Sequence, residues 1–176
     1  AFLTAIQTFI QQQNVDSIRQ VYSWILGRLN TASWTEVQLL APYAFIATLV
    51  MLLSRRTLDV MRLGDTEASS VGLRPQVVRF LVIAAASLGT AASVSVSGLI
   101  AFVGIIVPHA VRLLAGTSNR IVLPLSVLYG AAFLAFVDLL GRSLVSPAEI
   151  PIGVITAFCG APFFVVVLRT SRKALA

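Results

Sequence analysis

Long apolar runs alternate with short polar segments along most of the chain. A helix needs about 20 apolar residues to cross the hydrocarbon core of a bilayer. The run over residues 80–111 carries no formal charge and is long enough for two helices, which we expect to meet at Ser97-Gly98 because glycine tolerates tight turns. Further helices are predicted over residues 39–54, 121–137 and 150–168. The opening stretch, AFLTAIQTFI, is interpreted as the end of another membrane helix, which makes about six crossings in a fragment of a longer chain.

The composition supports a location in the membrane. Of the 176 residues, 57% are hydrophobic and only 11% are charged, and the mean hydropathy is +0.91. A soluble domain carries about 25% charged residues, so this chain lacks the polar surface that water requires on all sides. Small residues crowd segments 84–95 and 130–135, which favours close helix packing over a pore-lining role. The predicted fold class is all-α, a polytopic transmembrane helical bundle in which residues 1–176 form a single unit.

The thirteen basic residues are divided unevenly between the two sides of this predicted bundle. If the spans alternate, Arg19, Arg28 and Arg142 face one side and the other ten face the opposite side. Loops rich in Lys and Arg remain in the cytoplasm, so the ten-charge side is predicted to be cytoplasmic and to include the C-terminus. Nucleic-acid binding is not expected, because the charges lie in short clusters rather than along one exposed stripe.

Residues that carry covalent chemistry are scarce. No G-x-x-x-x-G-K-[ST] phosphate loop occurs, so any ATP would be bound by another chain. Cys159 is the single cysteine, which excludes an intrachain disulfide and a cysteine metal cluster. No catalytic residue, bound cofactor or metal is therefore predicted. Ser97 and His109 superficially resemble the pair of an intramembrane serine protease, but the G-x-S-x-G elbow is missing, and an enzyme remains only the alternative from another class.

The loop over residues 57–75 is the longest polar stretch on the basic side. Leu58, Met61 and Leu63 are spaced to share one face of a short helix that Gly64 would end. Asp65 is predicted to cap a second short helix that Gly72 would close, and two amphipathic helices here suggest a docking surface for a soluble partner. The alternative is a solvated connector. The candidate docking residues are Leu63, Gly64, Asp65, Glu67, Ala68 and Gly72.

The segment 97–112 places a proline and the only histidine inside or near a span. Pro108 removes a helical hydrogen bond and is expected to kink its helix. His109 is an ionisable group at membrane depth, for which an interhelical hydrogen bond is favoured over a ligand or proton-relay role. The residues predicted to serve helix kinks or packing are Gly98, Gly104, Pro108, His109, Gly160 and Pro162.

The segment 137–153 on the other side holds charges around two prolines. Asp138 and Arg142 lie four residues apart, a spacing that favours a local ion pair. The alternative is that Arg142 and Glu149 are offered to an extracytoplasmic partner by a turn that the prolines make rigid.

Four stretches, taken in their order along the chain, resemble the FecCD-type permeases, the membrane subunits of bacterial ABC importers. They are LGDTEASSVGL, SGLIAFVGIIVPHAVR, LPLSVLYGAAFLAFVDLLGR and PAEIPIGVITAFCGAPFF. The resemblance runs nearly from end to end and implies helices five to ten, the C-terminal half, of a ten-helix permease. It implies import of an iron-siderophore, haem or cobalamin across the bacterial cytoplasmic membrane. The alternative within transport is a permease for free zinc or manganese ions.

The resemblance also implies partners and roles for individual residues. ATP and Mg would be used by an ABC ATPase subunit, and a second permease copy or paralogue and an extracytoplasmic binding protein would complete the importer. Gly64, Asp65, Ala68 and Gly72 match the coupling helices that dock into the ATPase. Arg142 matches an outer arginine that pairs with a glutamate of the binding protein. The sequence departs mildly from the family pattern at Ala101 and Asn119.

Overall fold

The computed structural model describes residues 2–13, 15–29, 32–144 and 150–173, and all regular structure within these ranges is helical. The predicted all-α fold class is confirmed. The helices within these ranges are α1 Phe2–Gln13, α2 Val15–Ile25, α3 Trp34–Met61, α4 Asp65–Ser70, α5 Pro75–Ser97, α6 Val103–Ala115, α7 Asn119–Ser143 and α8 Ile152–Lys173.

Three of the described helices, α3, α5 and α7, are long and apolar enough to cross a membrane, with 28, 23 and 25 residues. Helix α6 has 13 residues. At 1.5 Å per residue it is about 20 Å long, shorter than the hydrocarbon core of about 30 Å. The described apolar part of α8, Ile152–Val165, is also shorter than a full span. The predicted turn at Ser97-Gly98 is confirmed, because α5 ends at Ser97 and Gly98 has a φ of 69°.

Helix α3 extends beyond its predicted span at both ends. It begins at a capping box, in which Glu36 N donates to Ser33 Oγ and Ser33 N donates to the Glu36 carboxylate. It then continues to Met61 because no glycine or proline interrupts residues 43–61. Leu58 and Met61 therefore belong to α3. The prediction of a separate short helix before Gly64 is wrong, and α4 is the one short helix of the loop.

Small side chains allow the long helices to approach closely. Helix α3 packs against α5 and α7, and α7 also contacts α6 and α8. A Cβ on Gly89 of α5 would lie 3.0 Å from the Cβ of Ala47 on α3, so a larger residue at either position would separate these helices. Val107, Val111 and Val122 form the buried cluster between α6 and α7. Close packing of small side chains therefore holds these helices together in place of a large hydrophobic core, as expected in lipid.

Large apolar side chains cover much of the outside of the bundle, including Phe45, Leu53, Phe80, Leu128 and Phe136. Exposed apolar area costs about 25 cal/mol per Å² in water. Such a surface is stable against lipid or against further membrane helices.

The connections between helices gather at two opposite ends. One end, which we call the α4 end, holds α4 and the 116–118 turn between α6 and α7. Arg62 Nη1 donates to Thr117 O at 2.6 Å and joins the end of α3 to that turn. At the other end, which we call the glycine end, the backbone around Gly27, Gly98 and Gly153 meets.

Candidate functional site

Helix α4 is anchored by a single buried side chain. Ala68 is 0% exposed, whereas the other five residues of α4 are exposed. Gly64 precedes the helix with a φ of 124°, which side chains rarely adopt. At the other end Gly72, with a φ of 83°, donates to Ser69 O, and Leu73 N donates to Ala68 O, which is a Schellman motif. Glycines therefore fix both ends of α4, and Gly72 closes the helix as predicted.

Asp65 ties α4 to α5 rather than capping α4. The predicted cap is wrong, because Gly64 occupies the N-cap position and no side chain caps the helix. The Asp65 carboxylate instead accepts two hydrogen bonds from Nη2 of Arg79, at 2.8 and 3.0 Å. Both partners are more than half exposed, so the pair contributes little stability by itself. Glu67 lies in the first turn, where its charge favours the positive end of the helix.

Two apolar side chains are exposed beside α4. Leu63 precedes the helix and is 72% exposed, and Val71 follows it and is 65% exposed. These two apolar side chains flank a helix whose exposed residues are all polar. Leu63 was predicted as a docking residue. Val71 was missed, because a valine next to a turn glycine carries no distinct sequence signal.

A cluster of polar contacts joins α3 to the start of α7. Ser118 Oγ donates to Asp59 Oδ2 and Asn119 N donates to Asp59 Oδ1, each at 2.7 Å. Asp59 thus supplies negative charge and an acceptor at the N-terminus of α7, where backbone N–H groups lack helical partners. Ser118 could be recognised from sequence as a capping residue. Asp59 could not, because the contact spans 59 residues.

His109 contacts an aromatic ring on α8. Its ring lies 5.6 Å from that of Phe163, centroid to centroid, in an edge-to-face arrangement at 81°. Within the described ranges its side chain makes this contact and no hydrogen bond, so the favoured interhelical hydrogen bond is replaced by an aromatic one. Ser97 Oγ donates to Ser93 O at 2.8 Å. The serine and the histidine of the protease alternative are therefore engaged elsewhere.

The other predicted packing residues have different surroundings. Helix α6 continues past Pro108, and α8 continues past Pro162. A Cβ on Gly160 would overlap the ring of Phe102, which supports a packing role for this glycine. Phe102 itself has a φ of 67°, and sequence reasoning missed it. A Cβ on Gly104 would meet nothing within 4 Å.

At the glycine end three backbone segments lie in direct contact. Arg28 N donates to Ser97 O at 2.8 Å, which joins the segment after α2 to the end of α5. Gly153 N donates to Leu26 O at 2.9 Å, which joins the same segment to α8. A Cβ on Gly98 would overlap the backbone carbonyl of Trp24 near the end of α2, and a Cβ on Gly153 would overlap that of Leu26 just after it. Glycine is therefore needed at both positions.

Arg142 lies beside the junction of these three segments and forms the predicted ion pair with Asp138. Its Nε donates to Asp138 Oδ2 at 2.9 Å, with the side chains 47% and 24% exposed. Both residues line a cavity of about 220 Å³ together with Arg28 and Pro151. Asp138 accepts a hydrogen bond from Nε alone. Because an arginine has five N–H donors, the other donors of Arg142 remain for a partner. Glu149, the other predicted docking residue, lies outside the described residues.

The comparisons with known proteins identify the family. The family model described as the FecCD transport family matches residues 1–170. The chain belongs to the FecCD transport family. FecCD proteins are transport permeases of ABC importers, so the predicted resemblance is confirmed.

Individual relatives show how far this FecCD chain extends. It is 39% identical to the uncharacterized ABC transporter permease protein YvrB of Bacillus subtilis, over 98% of this chain and 49% of the relative. It is 39% identical to the cobalamin import permease BtuC of Halobacterium salinarum (95% and 45%) and 36% identical to the hemin permease HmuU of Yersinia pestis (89% and 47%). The chain thus spans about half the length of the curated relatives that it matches.

A solved structure supports the same fold. A chain described as an inward-facing conformation of a metal-chelate type ABC transporter superposes with a TM-score of 0.85 at 30% identity. The match covers 96% of this chain and 55% of the other. The chain is therefore a multi-pass membrane protein with the FecCD permease fold.

Proposed function

We propose that the chain forms half of a permease that imports a metal-chelate substrate, such as an iron-siderophore, haem or cobalamin. The observation that carries this proposal is the FecCD match over residues 1–170. Relatives are described as import permeases for cobalamin, Fe(3+)-citrate and hemin. All three are metal complexes held by organic ligands, which favours this class over free zinc or manganese ions.

ATP hydrolysis in a separate ABC ATPase would drive the transport cycle, and the permease would contribute no covalent chemistry. Helix α4 supports this division of labour, because its exposed side chains are polar, the exposed Leu63 and Val71 flank it, and glycines bound it at both ends. Movement of α4 by the ATPase would pass to α5 through the Asp65–Arg79 pair and to α3 through the short 62–64 link. The transmembrane helices would then move as rigid bodies.

Uptake by cells tests the transport proposal. In a strain lacking its own FecCD importers, the full-length permease with its ATPase and binding protein should restore uptake of a labelled metal chelate. Ferric siderophore, haem and cobalamin should be tested in parallel with free Zn²⁺ and Mn²⁺, with an ATPase carrying an inactive Walker motif as the control. Uptake of the free ions alone would contradict the proposed substrate class.

We further propose that the α4 end is cytoplasmic and that the glycine end is extracytoplasmic and receives the binding protein at Arg142. The basic residues support this orientation, because Arg62, Arg74, Arg79 and Arg112 gather at the α4 end. The Asp138 contact supports docking, because it holds the Arg142 guanidinium in place and lowers the entropy lost on binding.

Cysteine labelling tests orientation and docking together. Leu144→Cys in a Cys159→Ser background places one exposed thiol two residues after Arg142. A membrane-impermeant maleimide should label it in intact spheroplasts and should label the control Ser70→Cys only after permeabilisation. The binding protein should slow labelling at position 144, and adding Arg142→Glu should remove most of that protection at low salt.

The experiment distinguishes the orientation of the chain from the docking role of Arg142. Labelling at position 144 only after permeabilisation would reverse the orientation. Equal protection with and without Arg142→Glu would show that Arg142 serves only its local pair with Asp138, which is worth about 0.3–0.5 kcal/mol.

A further inference from the structure

A cleft at the α4 end carries concentrated positive charge. Its volume is about 580 Å³, and it lies between the ends of α3 and α6 and the beginnings of α5 and α7. Three arginines and no carboxylate are found among the described residues that line it. The lining residues are Leu58, Met61, Arg62, Arg79, Arg112, Thr117 and Asn119.

Each arginine retains hydrogen-bond donors for a ligand. Arg62 uses Nη1 for the carbonyl of Thr117, and Arg79 uses Nη2 for Asp65. A guanidinium has five N–H groups in a planar fork, so donors remain on both residues. Within the described part of the chain Arg112 has no ion pair, and its side chain is exposed. The cleft therefore lacks an anion that would balance Arg112.

The side chains, rather than a helix terminus, supply this positive charge. Helix α7 begins at the cleft, but Asp59 already accepts from Asn119 N and neutralises that terminus. An incoming anion would meet the guanidinium groups. Planar guanidinium groups bind phosphate in a bidentate manner, which a single ammonium group cannot do.

The surroundings of Arg112 identify the source of the anion. Leu113 and Leu114 follow it at the end of α6 and are 73% and 82% exposed. The cleft also lies where α3, α5 and α7, the described helices that are long and apolar enough to cross a membrane, begin or end, and it is therefore near the membrane surface. A phosphate in the cleft could therefore be continuous with acyl chains lying on the two leucines. A carboxylate of a soluble partner would leave these leucines uncovered.

We propose that this cleft binds the phosphate group of an anionic phospholipid from the adjoining leaflet. Arg112 makes the principal contact, and Arg62 and Arg79 complete the site. The leucines after Arg112 hold the first part of the acyl chains. This assignment is independent of transport and of the orientation of the permease.

Native mass spectrometry of the full-length permease in detergent tests the site. Dioleoylphosphatidylglycerol is titrated in, with dioleoylphosphatidylcholine and inorganic phosphate in parallel. Arg112→Gln should weaken retention of phosphatidylglycerol about fivefold, the effect of one basic residue near an anionic surface. Arg112→Lys keeps the charge but loses the bidentate contact with phosphate, so it should retain only part of the binding. Arg120→Gln is the matched control, because Arg120 is exposed at the same end but does not line the cleft.

Each alternative has its own result. Equal retention of phosphatidylglycerol by wild type and Arg112→Gln, with both variants monomodal in size exclusion, would overturn the proposal. Inorganic phosphate that binds as tightly as phosphatidylglycerol would overturn the lipid assignment, because the acyl chains would contribute nothing. If Arg112→Gln retains phosphatidylglycerol as wild type does but associates more weakly with the ATPase, the cleft would be assigned to a protein carboxylate instead.

Discussion

Ala68→Pro is expected to abolish transport while the permease stays in the membrane. Ala68 N donates to Gly64 O at 3.0 Å, and proline has no N–H to replace it. The ring would also push Glu67 out of the helical region. A proline inside a helix costs about 3 kcal/mol, and α4 has too few hydrogen bonds to absorb that loss. Helices α3 and α5 would be left intact, because α3 ends at Met61, before α4, and α5 begins at Pro75, after it.

The measurement for Ala68→Pro is substrate uptake together with transport-stimulated ATPase activity in proteoliposomes. Both should fall to background, while expression and the size-exclusion profile match wild type. Ser69→Ala is the control, since Ser69 is exposed and its hydroxyl only donates back to Asp65 O within α4. Wild-type transport by Ala68→Pro would remove α4 from the coupling mechanism.

The helical architecture was predictable because apolar length and charge are properties of local sequence. The turn at Ser97-Gly98 followed from a glycine inside an uncharged run. The end of α3 was not predicted, because the uncharged run stops at residue 54, before Arg55 and Arg56, whereas the helix continues to Met61. A helix continues into water when no glycine or proline breaks it, so loss of hydrophobicity marks the membrane boundary rather than the helix boundary.

The candidate sites were predictable only where their contacts are local. The Arg142–Asp138 pair followed from a spacing of four residues, and Gly72 from the end of a short helix. The Asp59–Ser118 contact, the Asp65–Arg79 pair and the arginine cleft join residues that are distant in sequence. Their geometry depends on how the helices pack. The position of Phe102 against Gly160 likewise required the packed helices.

Gly153→Ala is expected to destabilise the glycine end strongly. The added Cβ would overlap the carbonyl of Leu26 and would lie 3.1 Å from that of Leu99. Both obstacles are backbone atoms, which cannot rotate away as a side chain would. The Gly153 N–H would also lose its 2.9 Å hydrogen bond to Leu26 O if the segments separated. We expect a cost of about 3 kcal/mol, the upper end for overpacking in a rigid surrounding.

Thermal unfolding of the purified full-length permease in detergent measures this cost, and Gly153→Ala should unfold several degrees below wild type. Gly104→Ala is the matched control, because the same methyl group in α6 would meet nothing within 4 Å and should stabilise the chain by up to about 1 kcal/mol. A Gly153→Ala variant as stable as Gly104→Ala would show that the segments at the glycine end can separate at little cost. In that case the junction could not hold Arg28 beside Arg142, and the cavity between them would have to be formed by the docked partner.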